Sequence, residues 1–329
     1  NFIYPEIKAD TKSVVKLMQK VYVRTNKAEL NLPEVRRKLV KLEMDSAQKR
    51  LYRLLKSELA REAEHTLTDN TKFALRRFGR SVTSLLQFVS NPTLLAAKPE
   101  FKFAQELSDT IAEGDGPKIR YVIKRTRELT KDGHKVLIWT SFVKNVEYLA
   151  DSFRDLGSVF IHGGVDAGSD EDEDTREGKI KKFHDDPNVQ VMIANPAAAS
   201  EGISLHRVCH HAIYLDRNFN AAQYLQSEDR IHRLGLPKSQ LTHLEIVECI
   251  STIDETVRLR LGLKVDAMAS ALEDSSLNIS PLQPVLIKAS SSSISTPISE
   301  AMFSNNSFLT WVGNGDIDRS TIDGLFAVS

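Results

Sequence analysis

Apolar positions recur at helical spacing through the first third of the chain and at strand spacing through the middle. Over residues 11–23, 45–64 and 72–89 they return every three or four positions among Lys, Arg and Leu, the pattern of amphipathic helices. Asp45, with Gln48 three residues later, has the form of a capping box at the second of these. Gly114-Asp115-Gly116-Pro117 then marks a loop. Beyond it, short β-branched runs alternate with amphipathic stretches. Strands are expected at residues 135–141, 159–162, 189–194, 212–216 and 241–249, and helices at 144–156, 175–184, 221–233 and 252–268. Thr252 and Glu255 have the spacing of a second capping box. Such alternation predicts an α/β fold: a parallel sheet with helices on both faces and ligands at the carboxyl ends of its strands. From residue 273, Ser, Asn and Pro dilute the periodicity, with one short candidate docking element at residues 308–312. The expected division is an all-helical module at 1–115, the α/β domain at 116–272 and a flexible or peripheral Ser-rich tail at 273–329.

The chain has 329 residues, enough for a sizeable core, and its longest apolar runs are strand-sized. No secretory leader is visible, so an intracellular setting, cytoplasmic or nuclear, is expected. The opening at Asn1 reads as a piece of something larger. Two cysteines, Cys209 and Cys249, exclude a disulfide framework. Zero net charge argues against a wholly basic nucleic-acid binder, but the charge is segregated. Residues 1–98 hold 20 Lys and Arg against 10 Asp and Glu, a net of +10, so residues 99–329 carry −10. A basic surface is therefore expected on the first module.

The stretch richest in chemistry runs from Gln226 to Gly235. On a helix, Gln223, Gln226, Arg230 and Arg233 would form one polar stripe, with Tyr224 and Ile231 on the other side. Two guanidiniums in register suit a shared anion, and phosphate charge is what arginine fingers stabilise. A generic Arg-x-x-Arg is more often a solvated helix face; the preceding Gln and the segment upstream reverse that preference. That segment, Ala197-Ala198-Ala199-Ser200-Glu201-Gly202-Ile203-Ser204-Leu205, follows a predicted strand. Its small residues allow a backbone to approach a phosphate closely, and Gly202 permits a bend.

These pieces resemble the Swi/Snf-type ATPases of helicase superfamily 2. Ser200 to Leu205 resembles motif V, and Gln226 to Gly235 resembles motif VI, Q-x-x-x-R-x-H-R-x-G. Asp216-Arg217-Asn218-Phe219-Asn220 is similar to the D-x-x-W-N-P stretch, with Phe219 for Trp and Ala221 for Pro. Residues 135–142 are similar to motif IV, Ile161-His162-Gly163-Gly164 to the D-G-S turn, and Thr175-Arg176 to the start of the helix after it. Thr252-Ile253-Asp254-Glu255 resembles T-I-E-E. Val23 to Glu29 with Leu32-Pro33 resembles the inter-lobe connector, and Asn91-Pro92 lies in a stretch similar to N-H-P-L-L of the helical protrusion. Leu236 departs from the usual Gln.

The resemblance implies a second RecA-like lobe without its first, preceded by the connector and protrusion. It implies Arg230 and Arg233 as arginine fingers with Gln226 beside them, and Glu201 and Gly202 lining the nucleotide cleft. Ser141 and Ser200, with Arg176, would touch DNA phosphates. ATP and Mg²⁺ would be held mainly by the missing lobe, and the partners would be the double-stranded DNA backbone and that first lobe. The sequence has no G-x-x-x-x-G-K-[ST] loop, since Gly178-Lys179 is followed by Ile180, so the chain alone is expected to be inactive in ATP turnover. The alternative of another class is a non-catalytic module that binds DNA or protein. No metal site is expected. In His206-Arg207-Val208-Cys209-His210-His211, neighbouring strand positions point to opposite faces. The acidic run at 170–174 is expected to be a solvated loop, and His232 to pack and hydrogen-bond.

Overall fold

The computed structural model describes residues 30, 32–69, 72–98, 101–199, 203–271, 274, 277 and 283–287. Within them lies a seven-stranded sheet in the order β3-β4-β2-β5-β6-β1-β7, with every neighbouring pair parallel. The strands are β1 Val35–Leu42, β2 Val136–Trp139, β3 Ser158–Ile161, β4 Val191–Ala194, β5 His211–Tyr214, β6 Thr242–Cys249 and β7 Gln283–Ile287. Every residue of β2 and β4 is buried, as expected of interior strands covered on both faces. The helices are α1 Ser46–Asp69, α2 Lys72–Ser90, α3 Ala104–Ala112, α4 Pro117–Lys131, α5 Val143–Ser152, α6 Arg176–Asp185, α7 Ala221–Glu228 and α8 Ile253–Ala271.

The strand–helix order of the middle of the chain is as the periodicity predicts. The region before it is not wholly helical, because Val35–Leu42 is a strand, in register with β6 from Val35↔Thr242 to Leu42↔Cys249. Four cations in eight residues hide its alternation. Two of them sit inward all the same: Lys41 is buried, and Arg37 is neutralised by the buried Glu228 at 2.6 Å. The segment beyond residue 273 also reaches the sheet, since β7 extends it from β1. Pro284 lacks an N–H to give a further neighbour, which suits an edge strand. The expected helix at 11–23, most of the connector resemblance and the docking element at 308–312 lie outside the described residues.

Neither capping box forms as drawn. The Asp45 carboxylate instead takes both terminal nitrogens of Arg120 at 2.9 Å in a bidentate charged pair, and the Gln48 amide is buried without a hydrogen-bond partner among the described residues. At α8 the Thr252 hydroxyl accepts from Asp254 N–H. The carboxylate that reaches back belongs to Asp254, on Cys249 N–H at 2.8 Å, rather than to Glu255. Asp254 also holds the fully buried Lys118 at 3.0 Å, tying the start of α4 to the start of α8. One continuous apolar core runs from Leu51, Phe78 and Phe88 in the helices to Trp139 and Ile213 in the sheet. The helical module is thereby packed on the strands.

Candidate functional site

Helix α7 begins where Asn220 accepts a hydrogen bond from Gln223 N–H, and it stops at Glu228, five residues short of the expected end at 233. The chain then turns: Arg230, Ile231 and His232 donate to Ser227 and Glu228 carbonyls at 3.1–3.3 Å, and Gly235 adopts φ 106°. Two causes end the helix. The Glu228 side chain is pulled inward to Arg37, and the Arg230 carbonyl accepts Leu205 N–H at 2.9 Å instead of an N–H four residues on. Gln226, Arg230 and Arg233 therefore do not form one helical stripe. Gln226 is exposed on the last turn, Arg230 is half-buried, and Arg233 is exposed beyond it.

The turn is fastened to the second candidate segment. Arg230 Nη1 donates to the Ile203 carbonyl at 3.2 Å beside the Leu205–Arg230 backbone bond. His206 accepts or donates at Ser204 Oγ, 3.0 Å away, and His184 of α6 meets the Ser204 carbonyl at 2.7 Å. A Cβ on Gly235 would come within 3.3 Å of His206 Nε2, and its positive φ favours glycine, so Gly235 lets the turn close on His206. Burial lowers the Arg230 pKa from its ordinary value, and the neighbouring Arg233 pushes the same way while Asp229 opposes. His206 is likewise lowered, first by burial and then by Arg207 and Arg233. Arg230 and Arg233 thus stand as neighbouring guanidiniums in a corner closed by residues 203–206. Ser200, Glu201 and Gly202 lie outside the described residues, directly before this corner in sequence. His232 packs in, 9% exposed, with Nε2 against the Pro33 carbonyl at 2.9 Å.

The other candidates sit at the carboxyl ends of the strands. Ser141 follows β2; its N–H donates to Asp216 Oδ1 at 2.7 Å and its carbonyl accepts from Asn195 Nδ2 at 2.9 Å. Arg176 opens α6, but its guanidinium is turned onto Glu177 Oε1 at 2.8 and 3.0 Å. The acidic loop at 170–174 folds over α6 and pairs with its lysines: Asp170 with Lys181, Glu173 with Lys182, and Asp174 with Lys179. Gly178 admits that loop, since a Cβ there would lie 1.9 Å from the Asp172 carbonyl oxygen.

Ser141 is held by Asp216, which sequence reasoning placed in the D-x-x-W-N-P resemblance without a role at Ser141, and by Asn195, which it missed. The signal for Asn195 was its position, a polar residue just past a strand. Sequence reasoning also missed a run of imidazoles at the opposite end of the sheet. His211 lies between His134 at 4.4 Å and His243 at 4.7 Å, the latter only 6° from parallel. Cys209 makes no thiolate there, because burial pushes its thiol up to about 12. Among the described residues no group of three or more His, Cys, Asp or Glu is placed to hold a metal ion, and no helix is long and apolar enough to cross a membrane.

A family described as "Helicase conserved C-terminal domain" matches residues 117–235. Among curated proteins, the chain is similar to the lymphoid-specific helicase of Homo sapiens, 28% identical over 167 residues, covering 50% of this chain and 18% of that protein. The chain spans less than a fifth of the length of the first curated relatives it matches. Two solved structures share its fold. The C-terminal part of the Fun30 ATPase domain has a TM-score of 0.51 at 16% identity, covering 70% of this chain and 90% of that one. The Sulfolobus solfataricus SWI2/SNF2 ATPase core in complex with dsDNA has a TM-score of 0.52 at 18% identity, covering 84% of this chain and 55% of that one.

Proposed function

We propose that this chain, which the helicase conserved C-terminal domain matches over residues 117–235, is a C-terminal lobe of the Swi/Snf type and serves as the second motor lobe of an ATP-dependent translocase on double-stranded DNA. The observation that carries this is the corner in which Arg230 is fastened to residues 203–205, with Arg233 exposed beside it. Phosphate suits this corner: a planar guanidinium fork matches phosphate oxygens, and burial of Arg230 strengthens its field. The donor set is cationic, so it fits the phosphates of ATP and not Mg²⁺, which a first lobe would hold. ATP supplies the free energy of phosphoryl transfer. Arg233 would reach the γ-phosphate charge across the inter-lobe cleft, and Arg230 would hold the turn and add to the field. Gln226, at the rim of the same cleft, would orient the nucleophilic water or the phosphate. Glu201 and Gly202, directly before the corner, would line the cleft wall.

On the strand-end face, Ser141 and Ser200 would meet phosphates of one DNA strand, and Arg176 would join them after leaving Glu177. Phosphate grip carries no base information, so translocation rather than sequence reading is the expected output. Such work belongs where DNA is, in cytoplasm or nucleus. Chain division into a connector and protrusion at 1–115, a motor lobe at 116–272 and a peripheral segment at 273–329 accompanies this reading, with the qualification that β1 and β7 are built into the lobe's sheet.

The test on the chain itself is binding to a duplex of random sequence over a range of salt, together with ATP turnover. Affinity should be independent of sequence and fall with salt, with a log–log slope of about −0.9 per neutralised phosphate. ATP turnover should be absent with or without DNA. Sequence-selective binding, or binding indifferent to salt, would refute the proposal.

A further inference from the structure

We infer that Asp216 is a positioning residue, which presents Ser141 to a DNA phosphate and ties that presentation to helix α2; this rests on the DNA contact proposed above for Ser141. Asp216 is 5% exposed and lies just beyond β5, beside the end of β2. Both of its carboxylate oxygens are engaged. Oδ1 accepts Ser141 N–H at 2.7 Å. Oδ2 accepts the Thr140 hydroxyl at 2.6 Å and the Ser90 hydroxyl, from the last residue of α2, at 2.7 Å.

The network goes further on the helical side. Asn145, at the start of α5, donates to Ser90 Oγ at 2.8 Å and accepts from Asn91 Nδ2 at 3.0 Å. Ser90, Asn91, Thr140 and Asn145 are each 2% exposed or less. A polar cluster this deep is costly unless satisfied, and here nearly every group has a partner. The exception is informative: Ser141 Oγ is shielded and has no hydrogen-bond partner among the described residues, while its backbone is pinned on both sides, by Asp216 and by Asn195. With the backbone fixed, rotation of the Ser141 side chain about its Cα–Cβ bond is the one movement that brings this unpaired hydroxyl out to an acceptor. A phosphate oxygen can accept from it there, and the Ser141 peptide cannot swing away. Because α2 shares the same carboxylate through Ser90, the helical module and the Ser141 loop are held as one piece.

The experiment is a double-mutant cycle in the full 329-residue chain, read as affinity for a random-sequence duplex and as its salt slope. Ser141→Ala removes the contacting hydroxyl. Asp216→Ala removes its support, and Asp216→Asn keeps an acceptor for Ser141 N–H. Asp216→Ser, which keeps a polar atom in the cluster but ends one bond short of both carboxylate oxygens, serves if the alanine variant does not fold. Ser141→Ala should weaken duplex affinity by roughly 10-fold, the loss of one hydrogen bond to a charged oxygen, with the salt slope unchanged because a neutral hydroxyl releases no counterion. Asp216→Ala or Asp216→Ser should match that loss, the double variant should lose nothing further, and Asp216→Asn should recover most of the affinity. Additive losses, or wild-type affinity in Asp216→Ala or Asp216→Ser while Ser141→Ala is impaired, would overturn the positioning role and leave the DNA contact standing. Unchanged affinity in Ser141→Ala would refute the contact, and the positioning role with it.

Discussion

His211 shows how one side chain can be neutral by location. Its ring is half-buried between the rings of His134 and His243, with Arg125 nearby. Burial first, and then these neighbours, push its pKa down to about 3 from 6.5. A histidine whose pKa is lowered by folding stabilises the protein only while it is neutral. That contribution is complete above about pH 6.5 and is lost progressively as the pH falls from there toward 3. His211→Phe keeps a flat ring in the stack and removes the proton acceptor. Urea unfolding between pH 7 and pH 4 should therefore show the variant losing less stability than wild type. Parallel stability curves would show that the stack does not resist protonation. The buried Lys118–Asp254 and Arg37–Glu228 pairs belong to the same scale: charges taken out of water and kept ionic by a partner from a distant segment.

At the scale of elements, the α/β body was legible because its strands are interior and apolar. The runs at β2 and β4 are uninterrupted, and the helices between them begin at readable caps such as Thr175 and Asn220. What was not legible depended on partners far away in sequence. Nothing local in Val35–Leu42 announces that Arg37 will meet Glu228, so its cations conceal a strand. Nothing local in 221–233 announces that Leu205 will take the Arg230 carbonyl and end α7 early, though Gly235 and Pro237 did mark a limit. The early end of α7, and with it the way Arg230 is fastened to residues 203–205, was therefore not legible. β7 is the third case, short and followed by a Ser-rich stretch, yet paired along β1 from Lys38↔Gln283 to Leu42↔Ile287. Truncation after Ser280 should leave β1 as a bare edge and lower the melting temperature by several degrees, since about 1 kcal/mol shifts a domain of this size by roughly 2–4 °C. An unchanged melting temperature would show β7 to be a bystander, as the low periodicity beyond residue 273 would have it.

At the scale of the whole molecule, charge and chemistry are divided between two regions. The first 98 residues carry the excess of Lys and Arg, and the Arg230–Arg233 corner is fastened to residues 203–205 beside the sheet. The central claim is that this corner serves ATP and not DNA, and arginine replacements in the two-lobed protein proposed above separate these roles. A finger acts on charge that develops during phosphoryl transfer, an effect on the order of 10³–10⁵ in rate, whereas DNA phosphates are shared among many contacts. The measurement is DNA-stimulated ATP turnover and duplex affinity for Arg230→Ala, Arg233→Ala and Arg233→Lys. Turnover should fall by at least about 10³-fold in the Arg233→Ala variant and strongly in the other two, because an ammonium lacks the planar fork, while duplex affinity changes by no more than a few-fold. Wild-type turnover together with lost DNA binding would contradict the claim and make the corner a DNA grip.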